Sequence, residues 1–363
     1  MPDRITAQNV PYLPADPRSY APGIAVVGCG FISGMHLAAY RAAGYRVLAL
    51  CDLHEENATR RQQEYFPDAA VTTDYRRLLA RGDIDIIDVV TQVEGRDQII
   101  RDALQAGKHV LSQKPFVRDL GLGAELTGLA DRQQRVLAVN QNGRWAPHFS
   151  YLLQATRRGL IGTVTSADFA VYWPHDLDIE HHPVFSVMPD LILWDFGIHW
   201  FDIIAQVFSG AGPATAVYAQ LGSRPGQVIP VPTWAQVLIE FEHASATLVL
   251  RGSSRFGAQG RYRVDGDQGA ILHTGDPLGG NTVEVHTAGG ATTVPLQGTW
   301  WANGMHGTMA ELMCAIEETR SPSNSARASL PGLALCFAAL ASARSGEAAD
   351  PSTVVRPPDL ASS

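Results

Sequence analysis

The stretch Ile24-Ala-Val-Val-Gly28-Cys-Gly30-Phe-Ile-Ser33 decides how the chain is read. Four apolar residues run into two glycines one residue apart, and an amphipathic stretch follows. A strand that passes through a tight glycine turn into a helix leaves the first helical N–H groups unpaired and able to hold an anion. Gly28 permits the turn, and Gly30 lets a pyrophosphate approach the backbone. Ser33 takes the third position of the fingerprint and is small enough for close packing of helix on strand. Asp52 ends the next apolar run, about twenty residues further on, where the fingerprint places its acid. A carboxylate there accepts ribose hydroxyls and repels a 2′-phosphate, so NAD is expected rather than NADP. Phe31 and Ile32 complete the loop expected to line it.

Working outward, short apolar runs alternate with helical patterns from Ile24 to Asn140. The runs Ile24–Val27, Arg46–Leu50, Ile84–Val90, His109–Leu111 and Val136–Val139 are rich in Val and Ile, as strands buried on both faces are. Helices are expected near 33–43, 55–65, 74–80, 95–106 and 119–134, with Gly44, Gly82 and Gly107 just past helix ends. This rhythm predicts a doubly wound parallel sheet, a Rossmann domain over residues 23–141.

Beyond Asn140 the rhythm changes. Helices are expected near 147–158 and 191–208, with a strand near 163–173. Six strands should follow: Thr215–Gln220, Thr233–Glu242, Ala246–Arg251, Gly260–Asp265, Ala270–His273 and Thr282–His286. Strands in succession, joined by turns, predict a largely antiparallel open sheet. With closing helices near 305–319 and 329–344, residues 142–349 form a C-terminal α+β domain. The proline-rich residues 1–22 are expected to be an extended arm, and residues 350–363 a loose tail.

Composition narrows the function. The chain has 363 residues and a formal charge of −8, with 28 Lys and Arg against 36 Asp and Glu. Nucleic-acid binding needs a basic surface, so small molecules are the expected partners. No run of ~18 apolar residues suggests a membrane span, and the first twenty-odd residues hold no apolar secretory core. Cys29, Cys51, Cys314 and Cys336 have no metal-like spacing and read as reduced thiols, which suits the cytoplasm.

Two further motifs carry a resemblance. The segment Ala106-Gly107-Lys108-His109-Val110-Leu111-Ser112-Gln113-Lys114-Pro115 resembles the helix–strand–Glu-Lys-Pro segment of the glucose–fructose oxidoreductase/inositol dehydrogenase (Gfo/Idh/MocA) family. The segment Trp194-Asp195-Phe196-Gly197-Ile198-His199-Trp200-Phe201-Asp202 is similar to that family's D-x-G-x-H-x-x-D helix. The resemblance runs from about residue 23 to 350. Gln113 stands where the family has Glu, removing a charge beside Lys114. Thr91-Gln92-Val93-Glu94 replaces the usual Thr-Pro-Asn stretch, so Thr91, Gln92 and Glu94 are candidate cofactor contacts only. Gln113 and Lys114 join them at the end of the next strand.

The residues themselves suggest the chemistry. A lysine at the carboxyl end of a sheet strand lies where open α/β sheets bind ligands, and the resemblance implies that Lys114 contacts the reacting hydroxyl. Asp195, His199 and Asp202 fall at i, i+4 and i+7 of an apolar helix, one polar stripe that must meet polar groups or line a cavity. The resemblance turns this stripe toward the nicotinamide. His199 is then the general base, and Asp195 orients the substrate or stabilises the imidazolium. Arg144, Trp145, Trp173, His175, His182 and Trp301 are candidate contacts to a sugar or polyol, alongside Asp195 and His199. No metal is expected, since the His- and acid-rich loop 173–182 lacks a ligand spacing.

The implied activity is NAD(P)-dependent oxidation of a carbinol in a sugar or cyclitol by a homodimer or homotetramer. Two alternatives remain open. One is an enzyme that retains its nucleotide through a closed redox cycle, as a sugar–sugar oxidoreductase or a glycoside-cleaving enzyme. The other is a non-catalytic nucleotide or sugar sensor.

Overall fold

A computed structural model describes residues 5–279 and 282–358. The chain divides into two compact units. One comprises Leu13–Trp145 and Trp301–Leu330; the other takes the described residues up to Tyr12, Ala146–Trp300 and the chain from Pro331 onward.

The first unit is built on β1 (Gly23–Val27), β2 (Arg46–Cys51), β3 (Ala70–Thr72), β4 (Ile86–Val89), β5 (His109–Ser112) and β6 (Leu137–Val139). Their order is β3-β2-β1-β4-β5-β6, with every pairing parallel. Between them run α1 (Ser33–Ala42), α2 (Glu55–Tyr65), α3 (Arg76–Leu79), α4 (Arg96–Gln105) and α5 (Leu120–Arg132). Strand order reverses between β1 and β4, and the carboxyl ends at such a reversal form the ligand crevice of this fold. β3 was not expected from the sequence: at three residues, with none buried, it carries too little apolar pattern to register.

The core of this unit gathers Ile24, Val26, Leu37, Leu50, Ile86 and Leu111 with Met309, Leu312 and Met313. Those last three come from α9 (Trp300–Glu317), and burying each contributes roughly 1.5–3 kcal/mol. Most of this helix therefore belongs with the parallel sheet, whereas the sequence pattern grouped it with the C-terminal domain. Glu317, near its end, accepts the backbone N–H groups of Arg18 (2.7 Å), Ser19 (2.7 Å) and Tyr20 (2.9 Å). These bonds hold its carboxyl down to about 2 and pin the N-terminal segment.

The second unit holds α6 (Pro147–Arg157), β7 (Val164–Tyr172), α7 (His175–Ile179) and α8 (Ile198–Val207). There follow β8 (Ala214–Gly222), β9 (Trp234–Phe241), β10 (Ser245–Arg251), β11 (Gln259–Gly266), β12 (Gly269–Gly275), β13 (Thr282–Thr287) and β14 (Gly290–Pro295). The sheet runs β14-β13-β12-β11-β7-β10-β9-β8. Only β7 and β10 pair in parallel; the other pairings are antiparallel. Along β9, Ala235, Val237, Ile239 and Phe241 are buried while Gln236, Leu238 and Glu240 are exposed. One face of the sheet is therefore core and the other open, as period-two alternation requires.

The last helix, α10 (Ala326–Ser345), is long and apolar enough by length and composition to cross a membrane, although it holds no unbroken apolar run of that length. Most of that window is buried inside the protein. Leu333, Leu335, Phe337 and Leu340 are all core residues, so its hydropathy reflects packing. Asp350 closes a turn by accepting the N–H of Ser352 at 2.8 Å. Residues 1–4 of the expected arm and 359–363 of the expected tail lie outside the described residues.

Candidate active site

In the first unit the glycine loop has the geometry that its sequence requires. Gly28 has φ +101°, and a Cβ there would lie 2.8 Å from the Val90 carbonyl carbon and 2.9 Å from the Thr91 nitrogen. Side chains rarely adopt that φ, and there is no room for one. Gly30 is the opposite case: a Cβ would meet nothing within 4 Å. Open space above this backbone is what a pyrophosphate cradle needs. Phe31 is exposed and Ile32 half-buried.

Asp52 closes the other side of the loop. Its Oδ2 accepts the Cys29 N–H at 2.7 Å, while Oδ1 accepts from His54 N–H at 2.9 Å. The carboxylate is thus fixed beside the loop, at the end of β2, where the fingerprint assigns it to the ribose. Arg61 reaches the same loop, donating to the carbonyls of Gly30 (3.0 Å) and Phe31 (3.1 Å) and pairing with Glu64. Its guanidinium is committed to holding the turn. These residues fit NAD.

Arg96 is the residue that the sequence pattern did not single out. Its guanidinium is buried and donates to the backbone carbonyls of Thr91, Gln113 and Pro115. One side chain therefore clamps the loop after β4 to the end of β5, with Lys114 between two of the carbonyls it holds. Arg96 opens α4 and is buried there, and the sequence carries no local mark of that burial. Gln92 and Glu94 in that loop are exposed, Thr91 is half-buried, and Lys114 is half-buried beside the buried Gln113.

Three of the candidate sugar contacts also lie in this unit. Arg144 is buried, and its guanidinium donates to the carbonyls of Ser323 and Ala328. Trp145 packs against Gly307, where a Cβ would fall 2.2 Å from the indole. Both side chains help to dock α9 and the segment after it. Trp301 is half-buried.

In the second unit the polar stripe is built differently from the expected continuous α-helix over 191–208. Ile192–Phe196 is a π turn, in which the Gly197 N–H reaches back five residues to the Ile192 carbonyl at 3.0 Å. Only then does α8 begin. Gly197 permits this, because a Cβ there would press to 2.8 Å on the Leu193 carbonyl oxygen. The π turn changes the angular offset between Asp195 and His199 that regular i, i+4 spacing implied, and π turns are frequent at functional sites. Asp195 is half-buried and His199 buried. The Trp300 ring meets the His199 imidazole edge-on, with centroids 5.3 Å apart at 88°. Asp202 is buried where Gly332 brings the α10 backbone close.

The loop after β7 is held largely by its own residues. Trp173 Nε1 donates to Asp178 at 2.6 Å, and His182 stacks on Phe185. His175 stacks on Phe196, next to Asp195, with centroids 4.3 Å apart. Asp176 is buried and takes both arms of Arg255 at 2.7 Å. Despite the cost of burial, this pairing keeps its carboxyl below the usual range. Among the described residues no group of three His, Cys, Asp or Glu side chains is placed to hold a metal ion.

Comparison with known proteins supports the same assignment. Residues 23–141 match the oxidoreductase family with an NAD-binding Rossmann fold, and residues 149–272 match the GFO/IDH/MocA C-terminal domain. The chain belongs to the Gfo/Idh/MocA oxidoreductase family. It is similar to a D-apiose dehydrogenase of Paraburkholderia graminis, with 28% identity over 89% of this chain and 88% of that protein. It is also similar to an inositol 2-dehydrogenase of Gluconacetobacter diazotrophicus, 32% identical over 39% of this chain and 43% of the other. In fold it resembles a levoglucosan dehydrogenase solved with NADH and levoglucosan, at a TM-score of 0.78 and 19% identity, covering 91% of this chain and 99% of that one. The protein is thus an NAD-binding oxidoreductase of this family.

Proposed function

We propose that the protein oxidises a carbinol carbon of a sugar, a sugar derivative or an inositol-like cyclitol, or reduces the matching ketone. The observation that carries this is the Arg96 clamp, which fixes the backbone on either side of Lys114 at the end of β5 to the loop after β4, where Val90 and Thr91 pack on Gly28 of the glycine loop. Relatives named for apiose and inositol support a polyhydroxylated substrate.

Bound NAD supplies the hydride acceptor. His199 takes the hydroxyl proton, Lys114 hydrogen-bonds the hydroxyl oxygen, and Asp195 orients the substrate or stabilises the imidazolium. In the reverse direction His199 returns the proton. Arg144, Trp145, Trp173, His175, His182 and Trp301 remain candidate contacts to the rest of the sugar. Thr91, Gln92, Glu94 and Gln113 remain candidate contacts to the nucleotide.

The exposed Tyr218 and Leu238 on the open face of the eight-stranded sheet support a homodimer or homotetramer through that face. Four buried free thiols support a cytoplasmic protein.

The test is absorbance at 340 nm with NAD+ and a panel of aldoses, ketoses and cyclitols, after identifying any nucleotide released on denaturation. NADH formation with a polyhydroxylated substrate is the expected result. Stoichiometric nucleotide release with no net NADH from any single sugar would point instead to the closed redox cycle.

A further inference from the structure

Beneath Lys114 lies a buried chain of polar side chains whose hydrogen-bond direction can be worked out from one fixed point. The Lys114 backbone N–H can only donate, and it donates to Gln113 Oε1 at 2.6 Å. That settles the orientation of the Gln113 amide, so its Nε2 faces His36 Nε2 at 3.2 Å. An amide nitrogen can only donate, and Asn140 Nδ2 approaches the same ring nitrogen at 2.9 Å. His36 Nε2 is therefore an acceptor without a proton. The ring proton sits on Nδ1, which donates to Asp88 Oδ2 at 2.8 Å. Tyr40 donates its hydroxyl to the same oxygen at 2.7 Å, as suits an ionised carboxylate. His36, Tyr40, Asp88 and Asn140 are fully buried and Gln113 almost so.

Each link dictates the next. A glutamate at 113 has no hydrogen to offer, so it could meet His36 only if Nε2 were protonated. With Asp88 still accepting from Nδ1, the ring would then have to carry both protons. An amide at 113 and a carboxylate at 88 are thus a matched pair. Together they keep His36 neutral and hold the full negative charge on β4, with the imidazole and an amide between it and Lys114.

We propose that Asp88, His36 and Gln113 form a positioning relay of fixed polarity that holds the Lys114 backbone and sets the charge behind it. The consequence for turnover rests on the proposed role of Lys114, while the protonation of His36 does not. Asp88 Oδ1 and Asn140 Oδ1 are buried without a hydrogen-bond partner among the described residues, so the polarity of the relay rests on the bonds named above.

The test is ¹⁵N NMR of the imidazole nitrogens in wild type, Gln113→Glu, Asp88→Asn/Gln113→Glu and His36→Gln, the last identifying the His36 signals. The wild type should show a neutral ring protonated at Nδ1. Gln113→Glu should give the doubly protonated ring and lower kcat about tenfold. The double variant should show a neutral ring protonated at Nε2 and recover most of the lost kcat. A wild-type ring protonated at Nε2 or at both nitrogens would overturn the relay, as would a Gln113→Glu ring that stays neutral. If Gln113→Glu does not fold, the wild-type spectrum decides alone. If Lys114→Ala keeps full turnover while the spectra follow the pattern, the role of Lys114 fails and the relay stands.

Discussion

Asp52 Oδ2 and the Cys29 backbone N–H are 2.7 Å apart, so the acid at the end of β2 is tied to the middle of the glycine loop. The carboxylate holds the loop shape, and we propose that it also places a negative charge where a 2′-phosphate would have to sit. Arg61 cannot relieve that charge easily, because its guanidinium already serves Gly30, Phe31 and Glu64. NAD+ should bind at least tenfold more tightly than NADP+, about 1.4 kcal/mol. Asp52→Asn should narrow the gap from both sides, weakening NAD+ and improving NADP+. Titration of each nucleotide against intrinsic fluorescence reads this directly, and an unchanged ratio in the variant would refute the assignment.

Arg96 makes a sharper structural prediction. Truncating it to alanine removes its bonds to the Gln113 and Pro115 carbonyls in the interior and to the half-buried Thr91 carbonyl, and a buried group left unpaired costs ~1–3 kcal/mol. Arg96→Ala should lower the urea midpoint markedly. Arg96→Lys, which keeps the charge but not the planar fork, should recover only part of the loss. The nucleotide affinity of Arg96→Lys should fall as well, because the Thr91 and Gln113 segments are no longer clamped together.

The π turn before α8 can be probed through Gly197. An added methyl presses on the Ile192 and Leu193 carbonyl oxygens at 2.9 and 2.8 Å, and overpacking of this kind costs ~1–3 kcal/mol. Gly197→Ala should destabilise the fold by that order in chemical denaturation. It should also reduce turnover more than NAD affinity, since the nucleotide loop is on other elements.

Acid stability follows from three imidazoles, His148 and His273 buried and His109 half-buried. Burial, aided by the charge of Arg135, pushes His109 down to about 4. Burial, with His273 beside it, holds His148 well below the usual histidine value, and burial also lowers His273. The unfolded chain takes up these protons near pH ~6.5, whereas the folded one resists until much lower pH. Between those values the unfolded state binds more protons, so stability falls as pH drops from about 6.5 toward 4. His148 stacks on His273 and Tyr262 at 4.6 and 5.3 Å, and neither ring nitrogen meets a partner among the described residues. His148→Phe keeps the stack and should flatten the decline of Tm with acid. An equally steep decline would remove His148 from the explanation.

What could be read from the sequence depended on the kind of signal. The parallel sheet was legible because β1, β2, β4, β5 and β6 are buried on both faces and interleave with helices, so each strand declares itself as an apolar run. β3, a three-residue edge strand with none buried, and β14, a six-residue edge strand with one residue buried, carry too little apolar pattern to be expected. The glycine loop and Asp52 were legible because backbone geometry restricts the residue types there. Arg96 was not, since nothing local distinguishes a buried arginine from a solvated one; only its three carbonyl partners do. The offset between Asp195 and His199 was misread because regular helical spacing was assumed across Gly197, the residue that lets the turn widen.

The most direct test of the account is steady-state turnover of Lys114→Ala and His199→Ala beside wild type, with the sugar or cyclitol that the panel identifies. Loss of a hydroxyl-binding group or a general base typically costs about a hundredfold to ten-thousandfold in rate. Each variant should lose kcat in that range while binding NADH nearly as well as wild type. Turnover within a few-fold of wild type in either would contradict the proposed site.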